Sequence, residues 1–335
     1  MKRLLILFLV CSSLHAAAQN RLTLVDENEL PSLVERLMDK RDSVNNDGYK
    51  VRRITAHINL EFAGSANAYF SADEFDEFSF KMNRVRLEVY GRLHDKLSYH
   101  FRQSFSSYNN VNTVENLPSS IEYANLKWRF NDKFDLVVGK QFLAVAGYEG
   151  YVNGLLVREF SEFNNNFAIF QTGVKAAAYL TPDQHLYLQV VNQKTGLEDY
   201  GLPVGVEPSK FPLLASACWM GWFADGTINL QYSASAGQLA KGKNIYYLMC
   251  GNVYEKGPVL AYLDVLYSRS AVDIQQRVTF LNAAGAPQTA QNTEYLTFIA
   301  NFDYQFNPKL NAYVKGAYER AGVYEANGVF AEGHY

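Results

Sequence analysis

The chain has 335 residues, with 31 Lys and Arg against 34 Asp and Glu, a formal charge of -3 and three Cys. Hydrophobic residues at 48% exclude a disordered chain, and the near-neutral charge argues against a nucleic-acid binder, which shows a basic stripe. No apolar run is long enough for a transmembrane helix, yet aromatics reach 14%, the enrichment of strands and membrane interfaces.

The N-terminus reads as an export signal. Lys2 and Arg3 form a positive region, Leu4 to Val10 an apolar one, and Ala16, Ala17 and Ala18 a small-residue cleavage site before Gln19. Residues 1–18 are therefore expected to be a signal peptide, and removing Lys2 and Arg3 takes the mature charge from -3 to about -5. Export places the protein beyond the inner membrane of a bacterium-like cell. Cys218 and Cys250 then remain in strand-like runs, too few for a disulfide scaffold, and read as packing residues. In residues 19–50, Leu30, Leu33, Val34, Leu37 and Met38 recur at helical spacing opposite Glu35, Arg36, Asp39 and Lys40. Asn45 to Gly48 end that helix as a linker. Two readings stand: an amphipathic helix packed on the body, or a small periplasmic oligomerisation or plug element.

From Val51 onward the period changes to two. Ile54, Ala56, Ile58, Leu60 and Phe62 alternate with polar residues, as do Val85, Leu87 and Val89, and Ala124, Leu126, Trp128 and Phe130. The same holds for Ile228, Leu230, Tyr232, Ala234 and Ala236, and for Leu296 to Phe306, where only Ile299 breaks the alternation. Successive strand side chains point to opposite faces, so each segment has one apolar and one polar face. Further candidates near 97–106, 134–142, 168–180, 185–193, 213–222, 245–254, 259–269 and 310–320 bring the expectation to about thirteen strands. Ile228, Leu230, Phe298 and Phe302 are expected to face lipid.

Connection lengths choose among all-β architectures. Short turns at 94–96, 131–133, 181–183, 224–226, 255–258 and 307–309 alternate with longer polar connections near 107–119, 144–166, 194–211, 237–243 and 271–292. That is the pattern of an antiparallel transmembrane β-barrel, with short periplasmic turns and longer outside loops. Greek-key sandwiches lack it. Trp128, Phe130, Phe134, Trp222, Phe223, Tyr254, Tyr304 and Phe306 lie near the short turns, where a barrel carries one aromatic belt. Residues 51–335 are assigned to the barrel.

The stretch Asn83 to Leu93, followed by Asp95 to Phe101, resembles the early hairpin of the phosphate-selective porin O and P family. Val137 to Phe142 resembles the family's strand before a long inward loop, and Arg158 to Phe160 through Asn164 to Phe167 the end of that loop. The resemblance covers most of residues 50–320. It implies a barrel of about sixteen strands, usually trimeric, set in outer-membrane lipid and passing small anions and other polar solutes. The family's phosphate-site lysines do not transfer residue by residue. With about thirteen strands against an even number in bacterial barrels, a chain incomplete at its C-terminus is expected, with first and last strands apart or strained together.

On the polar faces, strand parity turns Arg53, Arg84, Arg86, Arg102, Lys127, Arg129, Lys175 and Lys315 inward, eight cations against the five acids Glu61, Glu88, Asp264, Asp303 and Glu319. Rings of Arg and Lys favour anions; alternatively the charges neutralise one another. Residues 144–166, with Glu149, Arg158, Glu159 and Glu162, either fold inward as a constriction or face outward. The function expected is passive diffusion of small hydrophilic solutes with a mild preference for anions such as phosphate. A plugged barrel with a structural or binding role is the alternative, and a barrel enzyme of phospholipase or protease type comes third. No enzyme is expected: the chain has no His-Glu-x-x-His or Gly-x-Ser-x-Gly motif, and inward His57, His100 and His185 have no evident partners. No cofactor, metal or nucleic acid is expected.

Overall fold

The structure is a computed structural model that describes residues 54–71, 74–105, 120–152, 160–193, 206–281, 289–307, 310–324 and 330–334. The expected signal peptide, the helix of residues 19–50 and Arg53 lie outside the described residues. The strands are β1 (His57–Ser71), β2 (Glu74–His94), β3 (Leu97–Ser104), β4 (Ile121–Asn131), β5 (Phe134–Phe142), β6 (Phe170–Thr181) and β7 (Gln184–Asn192). They continue with β8 (Leu213–Phe223), β9 (Ile228–Ala240), β10 (Lys243–Lys256), β11 (Val259–Val272), β12 (Gln291–Asn307), β13 (Leu310–Tyr324) and β14 (Phe330–His334). Among the described residues three short helices interrupt the long connections: α1 (Tyr148–Tyr151), α2 (Glu162–Asn165) and α3 (Arg277–Leu281).

All fourteen strands form one antiparallel sheet in sequence order, each paired with the next. The count exceeds the expected thirteen by β14, whose five residues are too few to show a period. Among the described residues β1 and β14 do not pair, so the sheet is open along that seam. The alternation places side chains as expected: Ile228, Phe298 and Phe302 are exposed on the outer face, with Leu230 half-buried beside them, while Asn229, Gln231, Ser233 and Ser235 are buried on the inner face. Trp128, Phe130, Phe223, Tyr254, Tyr304 and Phe306 are exposed near the short turns. Trp222 is an exception to the expected belt. Its parity turns it inward, where its ring meets His185 at 4.8 Å.

One connection differs from its expected length, and the first hairpin extends beyond its alternating segments. The long connection near 237–243 is a two-residue turn, Lys241 and Gly242, because β9 and β10 keep pairing up to it. Gly242 adopts φ 69, a left-handed conformation that costs glycine little. Likewise β1 and β2 run on as a two-stranded ribbon to Ser71 and Glu74. The true long connections on that side are residues 105–120, 143–169, 193–212 and 273–290.

The buried apolar core lies on the inner face. It contains Leu143, Val145, Phe163 and Phe167 from the connection after β5, Val278 of α3, and Leu214, Leu239, Ile245, Tyr247, Met249, Leu266, Ile299 and Ala321 from β8 to β13. Strands β8 to β12 therefore carry apolar residues on both faces, the pattern of strands buried on two sides. This explains Ile299. It breaks the polar alternation of β12 because it packs, fully buried, against the inserted segment.

Candidate functional site

The described parts of the connection between β5 and β6, residues 143–152 and 160–169, here the strap, lie along the inner wall and reach as far as β13. Its backbone N–H groups meet inward side chains of successive strands. Ala144 donates to Gln189 Oε1 of β7 at 2.6 Å and Ala146 to Ser233 Oγ of β9 at 2.7 Å. Tyr148 and Glu149 donate to the two oxygens of Asp264 on β11, both at 2.8 Å. Glu162 and Phe163 donate to the two oxygens of Glu319 on β13 at 2.7 and 2.9 Å. Each carboxylate thus takes two adjacent N–H groups, a charge-assisted pairing about twice as strong as a neutral one.

Glu149 folds the strap onto itself. Its buried carboxylate accepts from Ser161 N at 3.2 Å, Ser161 Oγ at 2.7 Å and Asn164 Nδ2, and it ion-pairs with Lys315. Arg277 of α3 pairs with Glu162, tying the connection after β11 to the strap. The strap leaves β5 through Gly147 at φ 114, where a Cβ would stand 3.0 Å from Leu266 Cδ2. Tyr151 is held well above its ordinary phenol pKa by burial and donates to Val145 O at 2.6 Å.

The opposite wall, β1 to β6, carries the arginines, and they are paired. Arg86 Nη1 meets Glu61 at 3.1 Å and Arg86 Nη2 meets Glu122 at 3.1 Å. Arg102 Nε meets Glu122 at 2.5 Å and Arg102 Nη1 meets Glu88 at 3.8 Å, while His100 lies 2.8 Å from Glu88. Arg129 Nε meets Asp135 at 3.2 Å, and Tyr179 donates to the other oxygen of Asp135 at 3.1 Å. The guanidinium of Arg102 lies over the ring of Tyr123 at 4.3 Å, and His100 stacks on that ring at 4.3 Å.

The sequence-chosen residues therefore separate into two groups. Arg84, Arg86, Arg102, Lys127, Arg129 and Lys175 share the inner face of β2 to β6, with Lys175 6.0 Å from the ring of Tyr187. Lys315, Glu149 and Glu162 belong to the strap and its anchors. Arg158 and Glu159 lie outside the described residues. Glu122 and Asp135, which strand parity did not pick out, stand among these cations beside the expected acids Glu61 and Glu88. Asp264 and Glu319, expected as lumen acids, are buried anchors instead.

Parity missed Glu122 for a physical reason. The register steps from Arg102↔Tyr123 to Gln103↔Ile121, leaving Glu122 as the extra residue of a bulge. A bulge sends two neighbours toward the same side, so Glu122 joins Tyr123 on the inner face. Asp135 was legible from its position across the Asn131–Lys133 turn, directly opposite Arg129.

The profile of the family described as phosphate-selective porin O and P matches residues 57–329. The chain belongs to this family. Membership makes it a porin, an outer-membrane channel rather than an enzyme. No curated protein sequence is significantly similar to this porin. Among solved structures, it is similar to the outer membrane channel DcaP of Acinetobacter baumannii at 11% identity and TM-score 0.49, covering 83% of this chain and 94% of that one. It is also similar to OmpF of Salmonella typhi, solved in complex with daunomycin, at 11% identity and TM-score 0.49, covering 87% and 84%. OmpT of Vibrio cholerae in a trimer form is similar at 11% identity and TM-score 0.40, covering 84% and 94%.

Proposed function

We propose that this porin lets small hydrophilic solutes diffuse passively across the outer membrane, with a mild preference for anions such as phosphate, and that it works as a homotrimer in outer-membrane lipid. The observation that carries the reading is a lumen with two unlike sides. The strap is fastened to β7, β9, β11 and β13, while the opposite wall carries Arg84, Arg86, Arg102, Lys127, Arg129 and Lys175. Against those six cations stand Glu61, Glu88, Glu122 and Asp135, four carboxylates. The excess is small, so the preference is mild, and solutes pass between the strap and this wall. Positive rings favour anions, and the effect shrinks as salt shortens the Debye length to roughly 3 Å at 1 M.

The test is a reversal potential across a KCl gradient after reconstitution into a planar bilayer. The expected sign is that of an anion-preferring pore, and Arg84→Gln with Arg86→Gln shifts the permeability ratio toward cations by roughly two-fold. A cation-selective wild type, or an unmoved ratio in the double variant, overturns the reading. The apolar packing inside the wall favours a second reading, a plugged barrel with a binding role, which predicts no steady current at all.

A further inference from the structure

We infer that His100 is a specificity-determining residue of this porin, and that a proton on its ring sets how strongly the lumen wall prefers anions. The residue ends a charge network that crosses the first four strands. Glu61 of β1, Arg86 of β2, Glu122 of β4 and Arg102 of β3 link in that order through contacts of 3.1, 3.1 and 2.5 Å. Glu88 of β2 then stands between two partners, His100 Nε2 at 2.8 Å and Arg102 Nη1 at 3.8 Å. These last three side chains, on the inner face, are 15 to 18% exposed and so border the lumen.

Among side-chain types, Arg keeps its proton, and imidazole is the one that ordinarily changes charge between about pH 5 and 8. The neighbours of His100 come from both flanking strands. On β2 they are Glu88 and Tyr90, whose ring stands edge-on at 6.0 Å. On β4 they are Tyr123, stacked at 4.3 Å, and Asn125 directly opposite, with Lys127 one inward place further along. Its own strand brings Arg102. From β1, Asn59 donates to the second oxygen of Glu88 at 3.3 Å.

Two effects of the proton have the same sign. The imidazolium adds one positive charge to a wall of six cations and four carboxylates. It also takes Glu88 as a charge-assisted partner, which a neutral ring does about half as strongly. Arg102, relieved of Glu88, keeps Glu122 and leaves the rest of its guanidinium, held over the rings of Tyr123 and Phe170 at 4.3 and 5.3 Å, to passing anions. Positive groups in a pore favour anions, so the preference strengthens as pH falls and weakens as it rises. The inference rests on the proposed passage of solutes along this wall.

The test measures reversal potentials across a KCl gradient in planar bilayers at about pH 8 and about pH 5. In the wild type the chloride-over-potassium permeability ratio is expected to rise about two-fold at the lower pH. His100→Gln keeps a donor for Glu88 without the charge, and should hold the ratio near the wild type's higher-pH value at both. His185→Gln should retain most of the response, because that ring bonds Pro182 O and Tyr187 Oη instead. Glu88→Gln removes the shared carboxylate and should bring the ratio at the higher pH up to the wild type's lower-pH value. The inference is overturned by a wild type indifferent to pH, by a response that survives His100→Gln or vanishes in His185→Gln, or by a Glu88→Gln ratio that stays at the wild type's higher-pH value. No current in any of these bilayers overturns instead the open-pore reading on which it stands.

Discussion

At the residue scale, Glu122 decides how the cationic wall behaves. Its side chain is almost fully buried and bonds two guanidinium groups, Arg86 and Arg102. Removing one partner from a buried pair costs about 3–5 kcal/mol, because the remaining charge keeps its desolvation cost. Glu122→Gln should therefore lower the denaturant midpoint of unfolding and, in the surviving barrel, raise the chloride-over-potassium permeability ratio. An unchanged midpoint would show that water already screens the pair. The residue was invisible to strand parity because a bulge carries it inward, whereas Arg86, Arg102 and Lys127 follow simple alternation and were legible. Parity gives direction only, so it could not tell a free cation from a paired one.

At the element scale, the strap is held by oxygens that each receive one strap N–H. Asp264→Asn leaves a single side-chain carbonyl for the N–H groups of Tyr148 and Glu149, and an unsatisfied buried donor costs about 1–3 kcal/mol. The expected outcome is a noisier open-channel current and faster uptake of larger sugars in liposome swelling, with Glu319→Gln acting alike at Glu162 and Phe163. Asp303, which accepts from Asn311 at 3.0 Å in an exposed setting, is the control, and Asp303→Asn should change neither readout. Equal noise in all three variants would mean that these carboxylates do not fix the strap. The strap's existence was suggested by a long connection, but its course was not. Its anchors lie on strands far along the chain, and inward apolar residues such as Leu266 and Ile299 have the composition of any buried face.

At the scale of the whole molecule, the period-two pattern was sufficient for fold class because each strand needs one wet and one apolar face. The alternation of connection lengths was a weaker guide. Strand pairing persists into the Lys241–Gly242 turn, so a connection counted as long became a tight hairpin without changing side. In a barrel with short periplasmic turns, Lys241 lies outside the cell and Asp132 in the periplasm. Lys241→Cys should react with a bulky maleimide on intact cells, and Asp132→Cys only after the outer membrane is opened. Labelling in the reverse order would invert the barrel.

The anchoring of the strap also governs the order of assembly. Its bonds join residues 116, 157 and 166 positions apart, from Tyr148 to Asp264, Glu162 to Glu319 and Lys315 to Glu149. Closing such loops costs entropy before any contact repays it. The hairpins whose strands meet through turns of two to four residues zip first, so the wall is the nucleus and the strap docks last, onto a surface that does not exist until β13 is in place. Interactions absent from the folding transition state act mainly on the unfolding rate. The strap is therefore a late lock: it sets how long the native barrel lasts, and hardly how fast it forms.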